Sequence, residues 1–387
     1  MLVCDKSKCC SCSACEQVCP KDAITMKVDS KGSVYPELDN SKCVDCGLCD
    51  KACTYKNIKE STDKHFYVAI NNDDAVRAKS SSGGMFFAIA QYVINNNGVV
   101  FGCAVDGSDV HHTYAETLAD CENFRGAKYV ESRLGDTFRQ VRTFLKEGRQ
   151  VLFSGTPCQV NGLKLFLLKD YPNLITVDFI CHGAPVRKVY DKYISELEEK
   201  YNSKVVNVSF RDKQYGWSDY SYRFEFENGQ VFTEKAADNV YSKIFLSNIA
   251  LKDSCYQCSA NGDKRRSDIT IADFWGVDRN HSNFNDNKGT SLLVTNSNKG
   301  CDVLTAIQAN FRIEEVTRED AIASNPSYFK SCTIPKNREK FFEVIDKYSL
   351  NQLAKKYVLP SFPRRVLGKI KHIIKAVLRR IKRLFKK

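Results

Sequence analysis

The sequence lacks any run of the ~18–20 apolar residues a membrane span needs, and its opening, MLVCDKSKCC, holds no apolar signal core. The chain is therefore expected in the cytoplasm. Several enzyme motifs are missing as well. No G-x-G-x-x-G follows a strand, and G-x-x-x-x-G-K-S/T, G-x-S-x-G and H-E-x-x-H do not occur, which removes support for Rossmann, phosphate-loop, serine-hydrolase and zincin readings. Acidic residues are absent from positions 364–387, where eleven Lys and Arg stand. The rest of the chain carries 47 basic residues against 46 acidic ones, so the formal charge of +12 belongs to the tail, and a general nucleic-acid surface is not expected. With 387 residues, 43% of them hydrophobic, the chain can build two or three cores and is neither disordered nor fibrous.

What is abundant is cysteine. Ten of the 18 lie in the first 53 residues. Cys9, Cys12, Cys15 and Cys19 make C-x2-C-x2-C-x3-C before Pro20, and Cys43, Cys46, Cys49 and Cys53 repeat the spacing with Thr54 in place of the proline. Two-residue gaps let one tight loop present three thiolates to one face of an iron–sulfur cube. In two-cluster ferredoxins the fourth cysteine of each run ligates the other cluster. This predicts one 4Fe–4S site at Cys9, Cys12, Cys15 and Cys53 and a second at Cys43, Cys46, Cys49 and Cys19. A disulfide framework conflicts with a cytoplasmic chain, and zinc sites usually use paired C-x2-C units. Cys4 and Cys10 fall outside the register and are expected to be bystanders. Cys158, Cys181 and the pair Cys255 and Cys258 are either small buried hydrophobes or the four ligands of a third cube.

After a polar linker at Glu60–Lys64 the pattern changes to strand–loop–helix units. Ser82-Gly83-Gly84 precedes a helix, Cys158 follows the strand VLF, and Cys181-His182-Gly183 follows ITVDFI. Such units favour an α/β layer with its loops gathered at the carboxyl ends of strands. Ser82, Gly83 and Gly84 are either an ordinary N-cap or a cradle of bare N–H groups for a phosphate or ring oxygen. From Val205 onward the pattern is β, with an Asn228-Gly229 hairpin turn.

The ordered set SSSGGM, FRGAKYVES, FSGTPCQVNGLKLFL, DFICHGAP, CYQC, SDITIADFWG and KGTSLLVTN resembles the coenzyme F-420 hydrogenase/dehydrogenase beta-subunit family over roughly residues 1–350, with a two-cluster ferredoxin module in front. The resemblance implies an FAD-binding oxidoreductase with a cluster near the flavin. It places Ser82, Gly83, Gly84, Lys128 and Tyr129 at the flavin and Cys158, Cys181, Cys255 and Cys258 at a third 4Fe–4S cluster. Asp273, Trp275 and Gly276 match the family without a stated role. Relatives with a ferredoxin module often accompany surface-polysaccharide genes. FAD bridges one-electron and two-electron partners, and a cation beside its N1 edge would stabilise the reduced form, with Arg125 and Lys128 as candidates. His182 is either a donor to a substrate or sulfur, and so a catalytic candidate, or a packing residue.

Beyond Pro360 and Pro363, apolar residues from Val366 to Phe385 recur at helical spacing opposite the Lys/Arg face. This describes a helix on an anionic membrane surface, with a partner-packing helix or an RNA arm as alternatives. The expected architecture is thus α+β or α/β: a two-cluster ferredoxin-type domain over 1–59, a mixed α/β flavin-binding domain over 65–350, and a basic amphipathic helix over 361–387. The expected function is electron passage between a one-electron donor, such as a ferredoxin-like protein or a reduced deazaflavin, and an unassigned small-molecule acceptor, at the inner face of the membrane and without nucleic acid. The alternative is a non-catalytic electron-transfer subunit feeding a partner enzyme.

Overall fold

The computed structural model describes residues 4–60 and 64–359; the expected tail helix lies outside them. Among the described residues no helix is long and apolar enough to cross a membrane.

The N-terminal unit is a twofold repeat in its backbone as well as its sequence. Ser11 and Ser13 of the first cysteine run take positive φ (55° and 57°), and Asp45 and Gly47 of the second do the same (50° and 69°). Side chains resist this left-handed conformation. Its recurrence at matching positions curls each loop tightly and leads into a short helix, Ala14–Val18 or Leu48–Lys51. Between the runs lies an antiparallel hairpin, β1 (Ile24–Val28) and β2 (Val34–Leu38), with Ile24 opposite Leu38. Its turn at Gly32 (φ 81°) sits so close to the body that a Cβ there would lie 2.6 Å from Lys188 Cβ.

The body contributes β3 (His65–Asn71), β4 (Val99–Asp106), β5 (Asp109–Ala115), β6 (Val151–Ser154), β7 (Leu174–Phe179), β8 (Val205–Asp212), β9 (Ser221–Phe226), β10 (Val231–Lys235), β11 (Ile269–Asp273), β12 (Ser291–Thr295) and β13 (Phe311–Val316). Eight of these form one mixed sheet, ordered β13-β3-β12-β11-β7-β6-β4-β5. The central β4, β6, β7 and β11 are parallel, as their continuous apolar runs require. The outer strands are antiparallel, which the strand–loop–helix pattern alone does not predict. For β5 the reason is connection length. Only Gly107 and Ser108 separate β4 from β5, whereas a parallel return needs a crossover of a dozen or more residues.

The helix Met85–Asn95 covers one face of the sheet, and the helices Thr137–Lys146 and Pro157–Phe166 cover the other. Cys12, Ala14, Val18 and Ala52 of the N-terminal unit are part of that second core, alongside Phe101, Phe138, Phe153 and Phe166. Gln17 Oε1 accepts the Phe138 N–H at 2.9 Å, and Arg139 Nε donates to the Gln17 carbonyl at 3.0 Å. The unit is therefore built onto the body. The separate antiparallel sheet β10-β9-β8 packs with the helix Arg187–Tyr201 around Tyr190, Phe210, Tyr222, Phe224 and Tyr241. Past Phe210, β8 ends by sending Arg211 toward Asp273 at the carboxyl end of β11.

Candidate redox centre

The left-handed residues of the first run give its backbone alternating handedness, the geometry of an anion-binding nest. The loop borders a small, partly open cavity lined by Cys4, Cys9, Cys12, Cys15 and Cys53 with Met26, Pro36 and Tyr55. Cys53 reaches it from the second run because the helices Ala14–Val18 and Leu48–Lys51 pack on one another. Burial and the neighbouring Cys9 and Cys53 push the Cys15 thiol up. In the second run Cys46 is exposed beside Val44, which is 55% exposed; Cys19 Sγ accepts the Ala23 N–H at 3.4 Å. Among the described residues no three Cys, His, Asp or Glu side chains converge as they would on a single metal ion. Ligands at the four corners of a cube stand farther apart than those on one ion, so this arrangement does not count against a cluster.

Cys4 and Cys10 are less remote than their place outside the register suggests. Cys4 lines the cavity, and burial together with Cys53 pushes its thiol to about 12. Cys10 Sγ bonds to Thr54 Oγ1 at 3.2 Å, and its thiol lies within electrostatic reach of both Cys12 and Cys158. A second contact lies alongside. Gly162, in the helix Pro157–Phe166, has space for no side chain, since a Cβ there would lie 2.9 Å from both Cys12 Cβ and Cys12 Sγ.

That helix begins at a complete capping box, Thr156 with Gln159, which fixes the first turn and Cys158. Cys181 leaves the end of β7, Cys255 lies within the 3-10 turn Asp253–Gln257, and Cys258 follows it. The four thiols lie within electrostatic reach of one another. Burial raises the Cys181 thiol well above its ordinary range, and Cys255, Cys158 and Cys258 each raise it further. Cys255 Sγ also accepts the Ala184 N–H at 3.4 Å. Cys332 joins the rim, pushed to about 11 by burial and Cys258, its Sγ donating to the His182 carbonyl at 2.9 Å. His182 Nε2 pairs with Asn248 Oδ1 at 2.7 Å and sits edge-on to Phe245. Burial lowers its pKa.

Phe245 connects this group to the remaining candidates. Tyr129 stacks on it with ring centres 5.2 Å apart, and Tyr129, Cys255 and Cys332 share one small apolar cluster with Leu251 and Tyr256. The Tyr129 hydroxyl accepts from Arg211 at 3.4 Å. Arg211 also donates to the Ser81 carbonyl and pairs with Asp273, which takes a further bond from Trp217 Nε1 at 2.7 Å. Around the same loop stand Arg77, paired with Asp286, and Arg125, paired with Glu122. Lys213 donates to the carbonyls of Arg77, Ser82 and Lys288. Burial, then Arg211, pulls its pKa down to about 7. The buried Nε atoms of Arg77, Arg125 and Arg211 have no partner. Crowded cations with unmet N–H donors beside the start of a helix suit an anion such as a phosphate.

The other sequence candidates serve the loop itself. Ser82 Oγ donates to the Thr290 carbonyl, and the Gly83 N–H is taken by Ser291 Oγ at 2.9 Å. At Gly83 a Cβ would meet the Ala69 carbonyl at 2.7 Å and the Ser291 N at 2.8 Å, so close packing against β3 and β12 demands glycine there. Gly84 (φ 91°) is the residue before the helix Met85–Asn95. Lys128 donates to the carbonyls of Asn123 and Arg125, and burial lowers its pKa to about 8. Arg77, Arg211 and Lys213 are not visible as a group in the sequence because chain distance hides them; only Arg211, basic at the end of an alternating strand, carries a faint signal.

Fold and cysteine geometry define an iron–sulfur protein of the electron-transfer class, and residues 8–57 match the 4Fe-4S dicluster domain. Residues 148–321 match the family described as the C terminus of the coenzyme F420 hydrogenase/dehydrogenase beta subunit. No curated protein matches the chain. Among solved structures it is similar to a chain of the F420-reducing NiFe hydrogenase complex from Methanosarcina barkeri, with 14% identity and a TM-score of 0.49 over 70% of this chain and 88% of that one.

Proposed function

We propose that this chain is a flavin- and iron–sulfur-dependent oxidoreductase with three 4Fe–4S centres and one FAD. The observation that carries the proposal is a run of neighbouring groups. From the Cys9–Cys53 cavity, Cys12 packs on the helix that carries Cys158; Cys158, Cys181 and Cys255 lie within electrostatic reach of one another; and Cys255 leads by Phe245 and Tyr129 to the cationic loop at Arg211. In this reading Cys43, Cys46, Cys49 and Cys19 hold the outer cluster, where exposed Cys46 and Val44 meet a one-electron carrier protein. Cys9, Cys12, Cys15 and Cys53 hold the next, and Cys158, Cys181, Cys255 and Cys258 the innermost. Arg77, Arg125, Arg211 and Lys213 would hold the phosphates of FAD, and Tyr129 would border its ring. Bound FAD supplies exchange between one-electron and two-electron partners.

The protein side of this chemistry is positional. Asp273 fixes the Arg211 fork, while Ser82 and Gly83 clamp the loop onto β12, so the cations are set before a ligand arrives. The raised thiols must lose their protons as clusters assemble, which makes assembly favour higher pH. The domains are read as 1–59, 65–350 and 361–387. The last would hold the protein on an anionic membrane, with a role in surface-polysaccharide synthesis. Anaerobic titration of the full chain with a reduced ferredoxin tests the reading. Flavin and iron–sulfur absorbance should bleach together; cluster bleaching with no flavin present overturns it.

A further inference from the structure

Between the two inner thiol groups lies a buried ion pair that neither group's ligand spacing explains. Lys252 and Glu131 have side chains only 6% and 10% exposed and bond directly to each other. Lys252 Nζ also donates to the Cys10 carbonyl at 2.8 Å, inside the first cysteine loop. Its backbone is pinned on both sides of the interior group. Its N–H bonds to the Ala184 carbonyl, next to the Cys181 loop, and its carbonyl accepts the Cys255 N–H, each at 3.0 Å. The ammonium is thus bonded to the residue after Cys9 in one group, while its own backbone is bonded to Cys255 of the other. Paired directly with the Glu131 carboxylate, the ammonium stays charged. Glu131 Oε2 is buried without a partner. A half-satisfied buried pair is a poor device for stability, because well-packed apolar residues serve as well or better, so its position between the two groups calls for another role.

We propose that Lys252 and Glu131 are a charge pair shared by two iron–sulfur centres, with Lys252 raising the reduction potentials of both and Glu131 offsetting it. The inference rests on reading Cys158, Cys181, Cys255 and Cys258 as a cluster site. The physics is Coulombic. Each reduction adds one negative charge, and a fixed cation in a low-dielectric junction stabilises that charge on whichever side it sits. Two of the three ammonium N–H donors are taken by Cys10 and Glu131, leaving one for a cluster sulfur, a hydrogen bond that acts in the same direction. Electrons are thereby favoured at the junction between the N-terminal unit and the body, while the outer site at Cys43, Cys46 and Cys49 is left out of the effect. Lys252 and Glu131 are tuning residues, with no contact to substrate required.

The test is an EPR-monitored redox titration of the full chain, reconstituted anaerobically with iron and sulfide. Lys252→Met should move two of three midpoint potentials downward and leave the outer one in place. Glu131→Gln, close in shape, should move the same two upward. Lys252→Arg should restore the wild-type values. Shifts of the same sign in Lys252→Met and Glu131→Gln, or equal movement of all three centres, overturn the proposal. About eight irons in the wild-type chain overturns the interior-cluster reading beneath it, whereas about twelve irons with unmoved potentials overturns the shared-charge proposal alone.

Discussion

Gly162→Ala probes the seam between the N-terminal unit and the body with a single methyl group. The new Cβ would lie 2.9 Å from Cys12 Cβ and Sγ, where carbon atoms prefer about 3.5–4.0 Å. Cys12 Sγ can rotate, but Cys12 Cβ is fixed to its backbone, so the loop itself must move by several tenths of an ångström. Overpacking of this kind costs about 1–3 kcal/mol. Against it stands the helix propensity of alanine over glycine, about 1 kcal/mol in favour of the variant. The collision wins, by up to about 2 kcal/mol, because both clashing atoms lie in a buried core where neither can escape to solvent. That corresponds to an up to roughly 30-fold larger population of the undocked unit. Amide hydrogen exchange reads it directly: residues 9–19 should exchange faster by that factor while the central strands β6 and β7 hold their protection. Unchanged or slower exchange at 9–19 would show that Gly162 does not set the approach of the two parts.

Cys53→Ala should remove the cluster signal of the inner N-terminal site and spare the outer one; loss of the outer signal instead would mean the fourth ligands are not exchanged between runs. Arg211→Lys keeps the charge but loses the fork to Asp273 and Ser81, and should weaken FAD retention roughly tenfold, measured by flavin release on dilution. His112 is stacked on Phe153, donates through Nε2 to the Ser154 carbonyl, and has its pKa lowered by burial from 6.5 to about 4. Below pH 6.5 the unfolded chain therefore takes up a proton that the folded chain refuses. Stability should fall by about 3 kcal/mol between pH 6.5 and 4, and urea midpoints of His112→Gln should lose that slope. A chain ending at Ser361 should no longer float with anionic liposomes, while retained flotation would place the membrane contact elsewhere.

The cysteine runs are legible because ligand spacing is a local property, and so are the central strands, whose apolar runs and flanking glycines are contiguous in sequence. The outer strands are harder. β5 carries His111 and His112 within its alternation, and β13 alternates with charged residues on an exposed face, so neither stands out from loop composition. The cationic loop is illegible for a different reason. Arg77, Arg211 and Lys213 come from segments more than 130 residues apart and meet only when β8 docks against β11 and the Ser80–Gly84 loop. Lys252 and Glu131 are likewise 121 residues apart. Spacing alone sets Cys4 and Cys10 aside, yet the fold turns both toward the ligand-spaced thiols.

The central claim is that the line of cysteine sites ends at a flavin. Iron, sulfide and flavin analysis of the anaerobically purified full chain tests it most directly. The account predicts about twelve irons, matching sulfide and one FAD per chain; eight irons would remove the interior cluster, and a chain with full iron but no flavin would contradict the account.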